Sequence, residues 1–244
     1  MYETLLFDGT DIKSAGVQTI EVWDGALISP APRGADQLIP FRDGEIYTAK
    51  AFEAHPVSIG LVLTPTSIMT LNDTLRTLRR LAAPDRTVSL TRRLSYTAGN
   101  EQQTCTARYL SGLDPALFQA MTNGRLVLTM RNLDGLWYGA STTIAAGTST
   151  VLGDVRTRKM TVTVSAGTAP TVTNATNGSA FTVTGSTATP VVVDVLNQSA
   201  TASGSDCSSR VSWSGTWPLQ LEAGSNTLTI SSGTLSVAYF PAFL

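Results

Sequence analysis

Residues 226–239, Asn-Thr-Leu-Thr-Ile-Ser-Ser-Gly-Thr-Leu-Ser-Val-Ala-Tyr, alternate apolar and hydroxyl side chains on both sides of a Ser-Ser-Gly break. Apolar residues at every second position place one face of a β-strand against a core and the other face in water. Gly233 in the break is typical of a turn. The segment therefore predicts two antiparallel strands, 226–230 and 234–239, each with one buried face.

Short strands of the same kind fill the rest of the second half. The pattern predicts them at residues 160–165, 180–184, 190–196 and 217–221, with Gly, Asn, Ser or Pro in the breaks. No segment of this half has a helical period. Short strands with turns at this spacing predict a β sandwich or a jelly roll.

The two halves of the 244-residue chain differ in composition. Residues 1–135 carry 27 charged side chains, whereas residues 136–244 carry 8, and Ser plus Thr rises from 23 to 36. Such a shift in mid-chain indicates a domain boundary, and the small-residue stretch 139–147 is the expected seam. Hydroxyl side chains solvate the outer faces of the second half while they keep a high β propensity.

The first half mixes strands with one helix. Strands are predicted at residues 18–23, 38–39, 45–53, 57–63, 87–94, 103–110 and 125–131. Leu71, Leu75, Leu78 and Ala82 form one stripe of a helix that Thr70 or Asn72 can cap and Pro84 ends. A second, short helix is predicted at 114–121. We therefore expect a β sheet or barrel with one packed helix.

Composition excludes several classes of protein. With 17 basic and 18 acidic residues the chain is nearly neutral, which argues against a dedicated nucleic-acid binder. No apolar run approaches the roughly 20 residues of a membrane helix, so no membrane insertion is expected. The amino terminus does not resemble a secretion signal, and we expect the protein to remain where it is made.

Motifs for catalysis and cofactor binding are missing. His55 is the single histidine, no Gly-x-Ser-x-Gly or phosphate-loop motif occurs, and Cys105 and Cys207 are isolated. His55 is expected at an edge or an interface, and Cys105 in the core. We expect no enzyme, no metal and no cofactor, although a glycosidase-type carboxylate pair remains open because such pairs meet only in three dimensions.

Two clusters of side chains are candidates for a binding role. Six arginines lie within 18 residues: Arg76, Arg79, Arg80, Arg86, Arg92 and Arg93. They are either solvated or part of a subunit interface, where Arg is favoured for planar ion pairs. Trp213 and Trp217 are four residues apart and form either core packing or a platform that stacks on a sugar or a partner.

Three stretches together resemble the distal tail proteins, or minor tail proteins, of siphophages, which have long non-contractile tails. The first is residues 34–45, Gly-Ala-Asp-Gln-Leu-Ile-Pro-Phe-Arg-Asp-Gly-Glu, similar to the family's Pro-Gly-Arg-Asp-Gly segment with Phe41 in place of its first Gly. The second is the helix with the Arg-bearing strands of 71–94, followed by 105–110, 126–131 and 136–139. The third is residues 217–230, which resemble the family's closing Leu-x-x-Gly-x-Asn turn.

The resemblance implies a fold and an assembly. Residues 1–138 are expected to form a tail-tube-like β barrel or split sheet with a packed helix, and residues 139–244 a galectin-like β sandwich that projects outward. Six copies are expected to form a ring at the distal end of the virion tail, assembled in the host cytoplasm. Arg42, Asp43, Arg76, Arg79 and Arg80 are the candidate interface residues. Arg76, Arg79 and Arg80 are expected to face subunit or ring-stacking interfaces and not the channel, where arginines would hold DNA phosphates.

The implied partners are other copies of the chain, the tail tube protein, the tape-measure and tip or hub proteins, and receptor-binding proteins, with DNA only as passing cargo. Three alternatives remain. A carbohydrate-binding module would use Trp213 or Trp217, a cell-wall hydrolase lacks its motifs, and a tail-tube subunit would not need the second β domain.

Overall fold

The computed structural model describes residues 2–24, 32–33, 36–38, 45–47, 51–94, 102–113, 124–214 and 218–244. The chain divides into two compact units. Unit 1 comprises Met1–Trp137 together with Leu244, and unit 2 comprises Tyr138–Phe243. Within the described ranges, no helix has both the length and the apolar character that crossing a membrane requires.

The strands up to residue 138 are β1 Tyr2–Phe7, β2 Thr10–Asp11, β3 Val17–Asp24, β4 Pro32–Arg33, β5 Asp36–Leu38, β6 Glu45–Tyr47, β7 Ala51–Phe52, β8 His55–Leu63, β9 Thr87–Leu94, β10 Gln102–Ser111, β11 Arg125–Asn132 and β12 Trp137–Tyr138. Unit 1 is built on one antiparallel sheet with the strand order β2-β1-β9-β10-β11-β8-β3. Two small pairs, β4 with β7 and β5 with β6, accompany it.

One face of this sheet forms the core of unit 1. Strand β8 buries every second side chain from Val57 to Leu63, and β11 buries Leu126, Leu128 and Met130 in the same way. The alternation that predicted these strands is therefore the alternation between core and surface. Strand β1, which the sequence analysis did not predict, adds Leu5 and Phe7 to the core.

Helix α1 spans Ile68–Ala82 and begins earlier than the sequence predicted. Its cap is Ser67, not Thr70 or Asn72. The amide of Thr70 donates to Ser67 Oγ over 3.1 Å, and the amide of Ser67 donates to Thr70 Oγ1 over 2.9 Å. This reciprocal pair satisfies two amides at the start of the helix. A short 3₁₀ helix, Ile12–Ala15, precedes β3.

The apolar stripe of α1 is confirmed in the C-terminal turns of the helix. Leu75, Leu78 and Ala82 are buried, while Leu71 is only half-buried. The helix ends as predicted before Pro84, with Ala83 in the left-handed region at a φ of 41°. The short helix predicted at 114–121 lies outside the described residues.

The strands of unit 2 are β13 Thr142–Ala145, β14 Gly147–Val151, β15 Met160–Ser165, β16 Thr171–Asn174, β17 Ser179–Val183, β18 Val191–Asp194, β19 Ser199–Ala202, β20 Ser205–Asp206, β21 Val211–Ser214, β22 Gly224–Ile230, β23 Thr234–Tyr239 and β24 Ala242–Phe243. Strands β13 to β23 form two antiparallel sheets, with strand orders β13-β23-β15-β18-β19-β20 and β14-β22-β16-β17-β21. A 3₁₀ helix, Ser208–Arg210, precedes β21.

The two sheets of unit 2 enclose one apolar core. Val162 and Val237 come from the first sheet, Val172 and Phe181 from the second, and all four are fully buried. One α-helix and many strands among the described residues confirm the predicted mostly β fold class. The strand predicted at 217–221 is wrong: residues 218–220 are irregular, and Leu221 forms only an isolated bridge with Thr157.

A buried amide network joins the turn before β22 to strand β16. The side-chain amide of Asn226 donates to Glu222 O over 2.7 Å and to Gly224 O over 3.1 Å. Its oxygen accepts from the amide of Glu222 over 3.0 Å and from Asn174 Nδ2 over 2.8 Å. Both asparagines have no exposed surface. The Leu-x-x-Gly-x-Asn turn therefore has a structural role, because Asn226 satisfies backbone groups that the turn leaves unpaired.

Asn226→Ala is expected to lower the free energy of unfolding by about 2–3 kcal/mol, because it removes the partners of the N–H and C=O groups of the half-buried Glu222 and of the C=O group of Gly224. Asn197→Ala is the matched control, since Asn197 is exposed and bonds only to Asp194. We expect the control to cost less than about 1 kcal/mol. Calorimetry of the full chain measures both, and equal losses in the two variants would contradict the role of the network.

The contacts of Asp8 with Ser89 and Arg86 in unit 1 are expected to be sensitive to acid. Its carboxylate accepts from the amide of Ser89 over 2.8 Å and from Arg86 Nη1 over 2.9 Å. The hydrogen bond from Ser89 is the largest effect and holds the pKa of Asp8 below its ordinary value of 3.8. Burial opposes it, and the hydrogen bond and the charge of Arg86 each add a smaller lowering. A lowered pKa in the folded state means that Asp8 stabilises the fold above pH 3.8 and loses this effect as the pH falls further.

The melting temperature of the wild type is therefore expected to fall more steeply than that of Asp8→Asn between about pH 4 and pH 2. Above about pH 5 the two proteins should differ by a constant amount. Parallel melting curves across the whole acid range would show that Asp8 does not contribute.

Candidate functional site

Helix α1 presents two arginines to solvent on the turns that carry its buried stripe. Arg76 and Arg80 are both exposed and are one turn apart, because positions i and i+4 share a helix face. Arg76 lies 3.6 Å from Asp73, and both of these side chains are about 70% exposed, so the pair is weakly held. The two guanidiniums are thus available for contacts outside the chain.

Arg79 has a different role. Its Nε and Nη2 donate to the carbonyl oxygen of Leu113 over 3.1 and 2.7 Å. This fork holds the segment after β10 against the helix. Arg79 is therefore committed to a contact within unit 1, although it belongs to the same sequence cluster as Arg76 and Arg80.

The other arginines of the predicted cluster do not extend this surface. Arg86 pairs with Asp8, and Arg92 is only 1% exposed. Arg92 Nε and Nη2 donate to Gln103 Oε1 over 2.8 and 2.6 Å, and its guanidinium lies 4.2 Å from the centre of the Trp137 ring. Nη2 also donates to the carbonyl oxygen of Leu244, the terminal residue of unit 1, over 3.1 Å. Arg92 is a core residue, so neither alternative given for the six arginines, solvation or a subunit interface, holds for it.

Three of the predicted site residues, Arg42, Asp43 and Trp217, lie outside the described residues. Trp213 lies in β21 and is half-buried. Its ring packs on Phe181 with the ring centres 5.3 Å apart and the planes at 53°. This is the geometry of an aromatic pair at the margin of a core, and it occupies part of the indole surface.

A shallow groove of about 380 Å³ lies beside the start of α1. Thr66, Thr70 and Thr74 line it with other small polar residues, and Asp73 is its one carboxylate. A glycosidase-type pair requires a second titratable side chain for proton transfer, and the described residues that line the groove provide none. Its hydroxyls can accept and donate hydrogen bonds to a partner surface.

The single histidine and the two cysteines are the side chains that metal or nucleophilic chemistry would have to use. His55 is the first residue of β8, opposite Asn132 of β11, and Cys105 is buried in β10 as expected. Cys207 is half-buried in unit 2. In the described part of the chain, no three His, Cys, Asp or Glu side chains come together as a metal site would require.

The chain is similar to a known protein family and to solved protein structures. Residues 152–243 match the family model of the siphovirus-type tail component, C-terminal domain. The crystal structure of the Dit protein of phage SPP1, presented as a paradigm of the hub adsorption apparatus in phages that infect Gram-positive bacteria, matches with a TM-score of 0.70 at 16% identity. The match covers 99% of both chains.

Chains of the phage P2 baseplate in its activated conformation are more distant. They match with TM-scores of 0.48 with Ca and 0.45 with Sr, at 7% and 8% identity. The matches cover 95% and 93% of this chain, and 92% of the baseplate chain in both cases. No curated protein sequence is significantly similar to the chain. Residues 152–243 are thus similar to the C-terminal domain of the siphovirus-type tail component family, and the chain as a whole has the fold of the SPP1 Dit protein, which confirms the resemblance to the distal tail proteins.

Proposed function

We propose that the chain is a structural, non-enzymatic protein of a siphophage virion that forms a hexameric ring at the distal end of the tail. Residues 1–138 form the ring, and residues 139–244 project from it as the galectin-like domain. The ring joins the tail tube to the tape-measure, hub and receptor-binding proteins of the tip, and DNA passes through it only as cargo.

The observation that carries this proposal is the whole-chain match to the SPP1 Dit protein, which includes both units and leaves almost nothing of either chain unmatched. A tail-tube subunit would not need the second unit. The family model supports the same assignment independently for residues 152–243. The role in an adsorption apparatus belongs to the SPP1 protein, and we extend it to this chain on these two grounds.

The surfaces of the two units suit such a ring. A closed head-to-tail ring needs two different, complementary surfaces on each subunit. Arg76 and Arg80 supply exposed guanidiniums on one helix face of unit 1 for carboxylates of a neighbour. Arg42 and Asp43 are proposed at the same kind of contact, and Arg79 supports it from within. Unit 2 carries few charges and many hydroxyls, so it does not favour self-association.

The carbohydrate-binding alternative has no comparable support. Its platform requires an exposed indole, whereas Trp213 packs on Phe181. The glycan-binding role is therefore not part of the proposal.

The position in the virion is tested by immunogold labelling of tails purified from the phage that encodes the chain. An antibody against the full chain is expected to label the distal end of each tail alone. Antibody that has first been absorbed with the purified chain is the control. Labelling along the whole tail would indicate a tube subunit, and unlabelled tails would show that the chain is not a tail component.

The ring interface is tested by reversing the charges of Arg76 and Arg80 together to Glu. The wild-type chain of 25.8 kDa is expected to sediment as a hexamer of about 155 kDa, and the double variant as a smaller species, because its glutamates repel the neighbour's carboxylates. Arg156→Glu reverses a charge on unit 2 and should leave the hexamer intact. A double variant that melts normally and still forms the hexamer would exclude this helix face from the interface.

A further inference from the structure

Strands β10 and β11 place two arginines directly opposite each other. Arg108 of β10 is the register partner of Arg131 of β11, and both side chains are exposed. They lie on the face of the sheet that points away from the buried residues, since Ala107 and Met130 on the other face are fully buried. The Cβ atoms of such a pair are about 5 Å apart, and like charges at this distance destabilise a sheet.

Among the described residues, no carboxylate forms an ion pair with either arginine. In the described ranges, ion pairs join Arg76 to Asp73 and Arg86 to Asp8, and none reaches Arg108 or Arg131. The flanking register partners are uncharged, with Thr87 beside Arg108 and Pro56 beside Arg131. Asp134 lies near this end of the sheet, but one of its oxygens accepts from the amide of Thr106 over 2.7 Å. Each guanidinium presents a fork of N–H donors that matches a carboxylate, and two arginines paired on one face of a sheet can bind the same carboxylate.

The surroundings of the pair indicate what brings the carboxylate. Leu110 of β10, Val127 of β11 and Leu133, the first residue after β11, are 47%, 52% and 40% exposed. Leu110 lies at a bulge of β10, where the register with β11 shifts between Tyr109 and Ser111. Leu110 itself has no register partner in β11. Apolar side chains around arginines are typical of protein–protein contacts. A surface that binds DNA phosphates would instead extend the positive charge, and this chain has a formal net charge of −1.

We infer that the Arg108–Arg131 pair is the centre of a docking surface for an acidic segment of another protein. A Glu or Asp carboxylate of that segment bridges the two guanidiniums, and its apolar neighbours cover Leu110 and Leu133. The surface uses strands β10 and β11 and not the arginines of helix α1, and its test does not depend on the formation of a ring.

Replacing one arginine of the pair should have opposite effects on the stability of the free protein and on the stability of the complex. Unbound, the two charges repel, so Arg131→Gln is expected to raise the melting temperature by about 1–2 °C. Bound, the same substitution removes half of the fork. If Arg131 instead stabilised the fold, Arg131→Gln would lower both the melting temperature and the affinity for the partner.

The test measures the binding of a fluorescein-labelled decaglutamate peptide to the full chain by anisotropy at low ionic strength. Arg108→Gln and Arg131→Gln are each expected to weaken binding at least about ten-fold. Arg125→Gln is the matched control, because Arg125 lies on the same face of β11 opposite Val62 and not opposite an arginine. It should change the affinity less than about two-fold.

Four results would overturn the inference. The wild-type chain fails to bind the peptide, or Arg125→Gln weakens binding as much as Arg131→Gln, which indicates general charge attraction. A duplex DNA of equal charge binds more tightly than the peptide and loses affinity in the same two variants, which indicates a nucleic-acid surface. A lower melting temperature for both Arg108→Gln and Arg131→Gln would show that the pair stabilises the sheet.

Discussion

A polar side chain without exposed surface must have its hydrogen bonds met inside the protein, and both units are built around such a residue. In unit 1, Arg92 is held by Gln103 and lies on the Trp137 ring. In unit 2, Asn226 satisfies the turn before β22 and is held by Asn174 of β16. Each residue joins segments distant in sequence, so its hydrogen bonds select one arrangement of strands among those that would bury the same apolar residues.

Alternation of apolar residues was enough to predict most of the sheet. The bounds of β9, β15 and β23 agree with the prediction, and in β15 and β23 the pattern of burial is also the pattern of the sequence. The predicted strand at 217–221 was wrong, since Leu219 and Leu221 are buried in an irregular segment that packs through the amide network. The start of α1 was missed because the reciprocal Ser67–Thr70 bonds extend the helix before its apolar stripe begins.

Arginine positions show the limit of the sequence for a binding surface. Counting placed Arg76, Arg79, Arg80 and Arg92 in one cluster, but the structure directs them to solvent, to the Leu113 carbonyl and to the core. The opposition of Arg108 and Arg131 depends on the register of β10 against β11, which no local pattern contains. The family resemblance, in contrast, rested on turns and their order along the chain, and the shared fold explains why it could be recognised at 16% identity.

The central claim is that six copies of this chain form a ring around an opening. The most direct test is the rotational symmetry in class averages of negatively stained full-length protein, alone and mixed with the tail tube protein of the same phage. The account predicts six-fold rings with a central channel in at least the mixed sample. Rings of another order, or closed particles without a channel in both samples, would contradict it.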